Sequence, residues 1–509
     1  MAFQSDPSLP GFDRREFLRL AAGTAAAAGL ASFPRALFAD PPTRPSLLPT
    51  VEIDMPMRVA SVQYQAGAPT TIWRFEPTLL KGPVSALTDL PNNYLGPIIR
   101  VKQGQRVRIN VRNELPEGSV IHWHGLDIPA AMDGHPRDIF APGQSFLYEF
   151  DVLNRAGTYW FHPHPDMRTG YQVMKGLAGL FIVEDCTEDA LNLPRGVYDK
   201  PLIIQDRTFD ANNQFAYSPM SNSGFLGNTI FVNGQPNAAW NVANCVYRFR
   251  LLNGCNARTC KLAFDDGTPI TAIATDGGLL PAPVTKPYIM LSPGERVDLW
   301  VDLRGKNVGS QLKLRSLAWS TSGPAGNSTY PHGAPFDILT LNIAHAFDYP
   351  ITLPTALAPF TPYTINDAVN PTTPRPVNIG FGSGMFLLNG RTFQMENVEP
   401  DEAFRLGDLY LMEFTNITGL PLMPHPMHMH GPAFQIISRS INAGGQTNYN
   451  TVRDGLFADG CWKDTFLIMP GETVRLLVKR DKHPGLFLTH CHILEHEDMG
   501  MMRNFRVDP

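Results

Sequence analysis

The chain is short of charge. Asp, Glu, Lys and Arg make up 17% of its 509 residues, against about 25% in an ordinary globular protein. Acids outnumber lysine and arginine by 47 to 42, a formal net charge of −5, so no basic excess exists to steer a nucleic acid and that class of partner is excluded. A small molecule or an ion is the expected partner. Cysteine is also scarce, with six residues and no Cys-x-x-Cys pair, which argues against structural zinc. Beyond residue 45 no run approaches the roughly 20 apolar residues that a membrane-spanning helix requires, and few stretches carry helical periodicity. Proline (46) and glycine (43) are frequent instead, a balance that suits turn-rich β-structure. The length calls for two to four domains, because one hydrophobic core does not grow to this size.

The N-terminus carries an address. In DRREFLRL, Asp13–Leu20, the pair Arg14-Arg15 precedes an alanine-rich apolar run from Ala21 to Phe33, with a cleavage site expected near Ala39. Residues 1–39 resemble a twin-arginine-type signal, and the run is too short and too rich in alanine and glycine for a membrane anchor. Export to the periplasm follows, with no membrane association once the signal is removed. That route carries folded cargo, which suits a protein that must acquire or protect a metal cofactor.

After residue 45 the chain alternates strands and turns. Val107, Ile109 and Val111 alternate with polar residues in QRVRINVRN, and similar runs begin at Cys245, Arg296, Leu409 and Glu472. Pro142-Gly143, Pro293-Gly294 and Pro470-Gly471 each precede a strand, and each lies downstream of a strand ending in Asn113, Asn253 or Asn416. An all-β fold of three diverged copies of one β-sandwich would produce this pattern. The expected units are 45–190, 195–345, and 346–509, the last beginning with a Pro-rich linker over Asp348–Pro376. Three such units can bury their own cores, so a monomer is expected.

Ten of the 14 histidines fall in four short motifs, IHWHG, FHPH, HPMHMHG and HCHILEH. They supply four His-x-His pairs: His122/His124, His162/His164, His428/His430 and His490/His492. Alternate residues of a strand share a face, so each pair can aim two imidazoles at one target while the residue between them faces away. In the last pair the residue between is Cys491. A thiolate with His425, His496 and a nearby methionine is the donor set of a blue-copper electron-transfer centre. Met501 is the axial choice, and Met499 and Met502 are close enough to compete. Parity then turns His490 and His492 to the opposite side, where they meet the other three pairs. Eight imidazoles suit three metal ions, shared two, three and three. An electron taken at the exposed single copper would pass from sulfur through backbone to imidazole, over roughly 10 Å of extended chain. All four motifs lie in the first and third units, which leaves the middle unit as a spacer.

These motifs resemble those of the multicopper oxidases, and HCHILEHEDMGMM with HPMHMHG is similar to the bacterial laccases and cuprous oxidases. The resemblance spans essentially the whole mature chain. It implies three cupredoxin-like Greek-key domains and four copper ions. His425, Cys491, His496 and Met501 would hold the type 1 copper, and His122 and His428 the type 2 copper. His124, His162 and His492 would hold one type 3 copper, and His164, His430 and His490 the other. The implied reaction couples four one-electron oxidations of a reducing substrate to reduction of O2 to water. No ligand position is missing, which counts against the copper-free structural and division proteins of the family. It also counts against two-domain nitrite reductases, which lack the trinuclear cluster.

Four-electron reduction of oxygen consumes four protons, so acids are expected beside the cluster. Asp133 in AMDGHP and Glu497, directly after His496, match proton-relay positions in similar enzymes. Asp133 can equally serve as a turn residue before Gly134, and Glu497 as a capping carboxylate. His135, His332, His345 and His483 are expected at the surface or in turns. Export would permit disulfides among Cys186, Cys245, Cys255, Cys260 and Cys461, and Cys461 is a stray thiol, an outer metal contact or a small buried residue. Met423, two residues before His425, is shared with cuprous oxidases. The acid expected two positions earlier is replaced by Pro421, and no long Met-rich insert is present. Met385, Met395, Met427 and Met429 are further thioethers. Phenols and aromatic amines are the expected reductants, then Cu(I), then Mn(II) or bilirubin-like pigments.

Overall fold

Six β-sheets account for most of the regular secondary structure, two in each third of the chain. The computed structural model describes residues 48–90, 92–220, 222–321, 323–417 and 422–509. The signal-like segment 1–39 and Pro421 lie outside them. In the first pair, a six-stranded sheet contains strands 51–54, 57–62, 70–75, 78–81, 106–114 and 145–151. Strands 87–88, 98–102, 121–122, 157–163 and 179–184 form its five-stranded companion. In strand 106–114, Val107, Ile109 and Val111 are buried and the residues between them only partly so, the alternation expected of one covered face. They pack with Ile99, Phe161 and Phe181 of the companion sheet, so the core lies between two layers. The middle third pairs a seven-stranded with a five-stranded sheet, and the last third pairs two five-stranded sheets. Neighbouring strands are often distant in sequence: 51–54 runs parallel to 106–114, 199–207 to 246–253, and 375–382 to 409–416. The fold is all-β, with three cupredoxin-like Greek-key sandwiches.

One local device recurs in all three. The Asn113 side chain donates to the carbonyls of Glu117 and Phe140 at 2.9 and 3.0 Å, while its own carbonyl accepts from Gly143 at 2.7 Å. Asn253 donates to Arg258 and Leu291 at 2.7 and 2.8 Å and accepts from Gly294 at 2.9 Å. Asn416 donates to Met423 at 2.9 Å and accepts from Gly471 at 2.9 Å. A polar side chain satisfies the carbonyls where the chain leaves one strand, and its backbone fixes the Pro-Gly turn that starts another. Among the described residues no helix is long and apolar enough to cross a membrane.

Candidate metal centre

Short strand pairings set the histidines opposite one another. In the first unit His122 pairs with His162 across antiparallel strands, and in the third His428 pairs with His490 and Met427 with Cys491. His124, His164, His430 and His492 follow at the strand ends. All eight imidazoles are fully buried and meet between the two units. The Nε2 atoms of His122 and His428 stand 3.4 Å apart, and His124 Nδ1 lies 3.3 Å from His492 Nε2. His490 Nε2 lies 3.4 Å from His164 Nε2 and 3.2 Å from His430 Nε2.

The outer ring nitrogens explain this orientation. Nδ1 of His122, His162, His428 and His490 donates to the carbonyls of Asp133, Pro163, Asp464 and Cys491 at 2.7, 2.9, 2.8 and 3.0 Å. His430 Nδ1 donates to Asp133 Oδ2 at 2.6 Å, and His124 is reversed, with Nε2 3.1 Å from Asp464 Oδ1. An outward N–H leaves the inner nitrogen with its lone pair, the form that ligates a metal. Burial, then the neighbouring imidazoles, holds His122 and His428 well below the ordinary histidine range, so the rings are neutral donors. His162 Nε2 is buried without a hydrogen-bond partner among the described residues. A cation fits that geometry, and the all-imidazole donor set fits copper.

On the other side of the same strand, Cys491 Sγ lies 3.5 Å from His425 Nδ1 and 3.7 Å from His496 Nδ1. Burial pushes the thiol up, so a thiolate here requires a metal ion. The Cys491 N–H donates to the Met501 carbonyl at 3.1 Å, and Met501 is fully buried in the same apolar cluster. Met502 instead pairs in register with His490, and Met499 is only partly buried. The sulfur group is not exposed, contrary to expectation: Cys491 and His496 are wholly enclosed and His425 is 1% exposed. Leu226 and Ala257 of the middle unit belong to the same apolar cluster as Cys491.

Both expected acids are present. Asp133 touches His122 through its carbonyl and His430 through its carboxylate, and burial pushes that carboxyl well above the usual range. Gly134, at φ +84°, lets the loop lie against the Ile121 carbonyl. Glu497 Oε2 lies 3.2 Å from His490 Nδ1 and Oε1 3.5 Å from His164 Nε2. A third acid, Asp464, was not anticipated. It accepts from His428 and His124, and Arg296 Nη1 donates to it at 2.7 Å. Its available signal was its place in DGCWKDTF within a chain poor in charge.

Other expectations change. His135 and His332 are buried, because His135 bonds Asn504 at 2.8 Å and His332 the Ser223 carbonyl at 2.9 Å. His483 is partly buried and His345 exposed. All six cysteines are free thiols, and Cys461 belongs to the apolar core of the middle unit. Met423, Met427 and Met429 share the cluster around Cys491, whereas Met395 is 36% exposed.

Known proteins with this layout agree. Multicopper oxidase family models match residues 76–188 and 360–509. The laccase of Bacillus stratosphericus is 30% identical over 462 residues, covering 80% of this chain and 88% of that one. The cell division protein FtsP of Dickeya dadantii is 30% identical over 417 residues, covering 80% and 82%. The crystal structure of the McoA multicopper oxidase of Aquifex aeolicus superposes with a TM-score of 0.77 at 33% identity, covering 90% of this chain and 96% of that one. With the fold, the eight converging imidazoles and the Cys491 group, these similarities establish that the chain belongs to the multicopper oxidases, a family of copper-dependent oxidoreductases.

Proposed function

We propose that the protein oxidises a small reducing substrate by one electron at a time, four times per cycle, and passes the electrons to O2 with four protons to give two water molecules. The observation that carries this is the strand Gly485–Cys491 and its continuation: Cys491 faces two imidazoles on one side, and His490 and His492 join six more on the other. Four copper ions, one held by His425, Cys491, His496 and Met501 and three by the eight imidazoles, would supply the electron storage and the site for oxygen. His122 and His428 would hold the type 2 ion. His124, His162 and His492 would hold one type 3 ion, and His164, His430 and His490 the other.

The chain's own groups supply the rest. The path Cys491–His490 or Cys491–His492 is covalent, so electrons need not cross a packing gap. Asp133, beside His122 and His430, and Glu497, beside His164 and His490, deliver protons there. All eight imidazoles are present and buried together, which favours an enzyme over a copper-free scaffold.

Phenols and aromatic amines are the proposed reductants. Cu(I) is the second reading, favoured by the thioethers of Met423 and Met427 in the cluster around Cys491. The domain limits 45–190, 195–345 and 346–509, a monomeric state, and periplasmic export by the segment 1–39 belong to the same proposal. Metal analysis and an absorption spectrum of the copper-loaded protein, then oxygen uptake with a phenol and with Cu(I), test it. About four coppers with a blue charge-transfer band are expected. Absence of both, or no oxygen uptake with either reductant, contradicts it.

A further inference from the structure

The middle sandwich holds no metal-ligating pair, yet it touches the trinuclear site through one turn. We propose, resting on the multicopper oxidase function above, that Gly294 and Arg296 of the middle unit are positioning residues for one metal position of that site, the one served by His124 and His492.

The repeated Asn and Pro-Gly device supplies the comparison. At Gly143 an added Cβ would meet nothing within 4 Å, and at Gly471 it would meet the Asn442 side chain. At Gly294 it would meet the His492 ring, 2.8 Å from Cδ2. The same turn therefore appears three times, and only the middle copy is laid flat against an imidazole of the cluster. Two residues further on, the corresponding positions hold Ser145 and Thr473 in the outer units and Arg296 in the middle one.

Arg296 is fully buried, and its guanidinium is fully used. Nε donates to the Thr158 carbonyl at 2.9 Å, and Nη1 to the Gly294 carbonyl at 2.9 Å and to Asp464 Oδ1 at 2.7 Å. Nη2 donates to the Asp276 carbonyl at 3.0 Å and to Asp464 Oδ2. The fork therefore ties together strand 157–163 of the first unit, its own turn, and Asp464 of the third. Asp464 in turn accepts from His124 Nε2, which fixes the tautomer that leaves Nδ1 facing His492. Contacts to the preceding residues hold the segment that carries Asp464: Asp276 Oδ2 accepts from Lys463 Nζ at 2.8 Å, and Gly277 donates to the Trp462 carbonyl at 2.9 Å. One turn thus packs on His492 and orients His124, the two rings whose nitrogens face each other at 3.3 Å. No comparable contact from the middle unit reaches His164 or His490 among the described residues.

Arg296→Lys, which keeps the charge and loses the fork, and Gly294→Ala are the test variants, each compared with wild-type protein after copper loading. Circular dichroism confirms folding, the blue band reports the Cys491 site, and near-ultraviolet absorption with electron paramagnetic resonance reports the coupled copper pair. Loss of an outer contact to a ligating histidine weakens metal binding roughly 10- to 100-fold. Either folded variant should therefore lose the coupled-pair signature and show uncoupled copper, with the blue band per chain unchanged. If Arg296→Lys does not fold, Gly294→Ala alone decides. Retention of the coupled pair in every variant that folds overturns the proposal, as does equal loss of the blue band. Wild-type protein that takes up no copper refutes the proposed function instead, an outcome distinct from failure of the positioning role.

Discussion

Replacing Asp133 with Asn separates proton delivery from metal binding. Two contacts run from this residue to the imidazole cluster, and they respond differently to the change. The backbone carbonyl that accepts from His122 at 2.7 Å is untouched. The side chain, 2.6 Å from His430 Nδ1, keeps an amide oxygen that can accept the same N–H. Both rings stay aimed inward, so copper content and the blue band are expected to match wild type. What disappears is a carboxyl that burial holds well above the usual carboxylate range. Loss of one general acid typically costs about 100-fold in rate, equivalent to about 2.7 kcal/mol of barrier. Oxygen uptake at saturating phenol should fall by about that factor, with KM for the phenol unchanged if the proposed reductant gives its electrons to the Cys491 centre. Turnover within about twofold of wild type, at full copper occupancy, would refute the relay role. Loss of copper would assign Asp133 to ligand orientation alone.

Further outcomes follow from the same geometry. Cys491→Ser should abolish the blue band and lower phenol oxidation by at least about 10³-fold, while the near-ultraviolet absorption of the coupled pair survives; spectra of the loaded variant check this. Asn253→Ala removes three buried hydrogen bonds, to Arg258, Leu291 and Cys255. It should destabilise the protein by about 2–4 kcal/mol in denaturant titration. Burial, reinforced by Asp481 and opposed by Arg480 and Lys482, raises Asp127 to about 6. Between roughly pH 4 and 6 the folded chain then binds more protons at this group than the unfolded chain, so its contribution to stability is lost as pH rises through that window. Asp127→Asn should therefore be more stable than wild type by about 2–3 kcal/mol at pH 7.5 and little different below pH 4. A constant difference across that range in paired melts would contradict the assignment.

Much of this was legible from residue order. Strand parity at Cys491 separated a sulfur side from an imidazole side because a period of two leaves no other choice, and the Asn and Pro-Gly spacing exposed the threefold repeat. Asp133 and Glu497 stood out because each is close in sequence to a histidine motif. Asp464 and Arg296 did not, since they lie 36 or more residues from the histidines they serve or act through, and only the docking of three sandwiches brings them together. Burial of the Cys491 group was hidden for the same reason: its apolar cluster takes in Leu226 and Ala257, from a unit with no metal ligands of its own. His135 and His332 were misplaced because a lone histidine carries no periodicity, and their burial depends on single partners, Asn504 and the Ser223 carbonyl.

Anomalous diffraction at the copper edge from crystals of the copper-loaded protein addresses the central claim without mutation. One peak is expected beside Cys491 Sγ, between His425 and His496, and three more enclosed by the eight imidazoles, with His124 bound through Nδ1. Peaks confined to the sulfur site, or scattered outside the imidazole cluster, would contradict that claim.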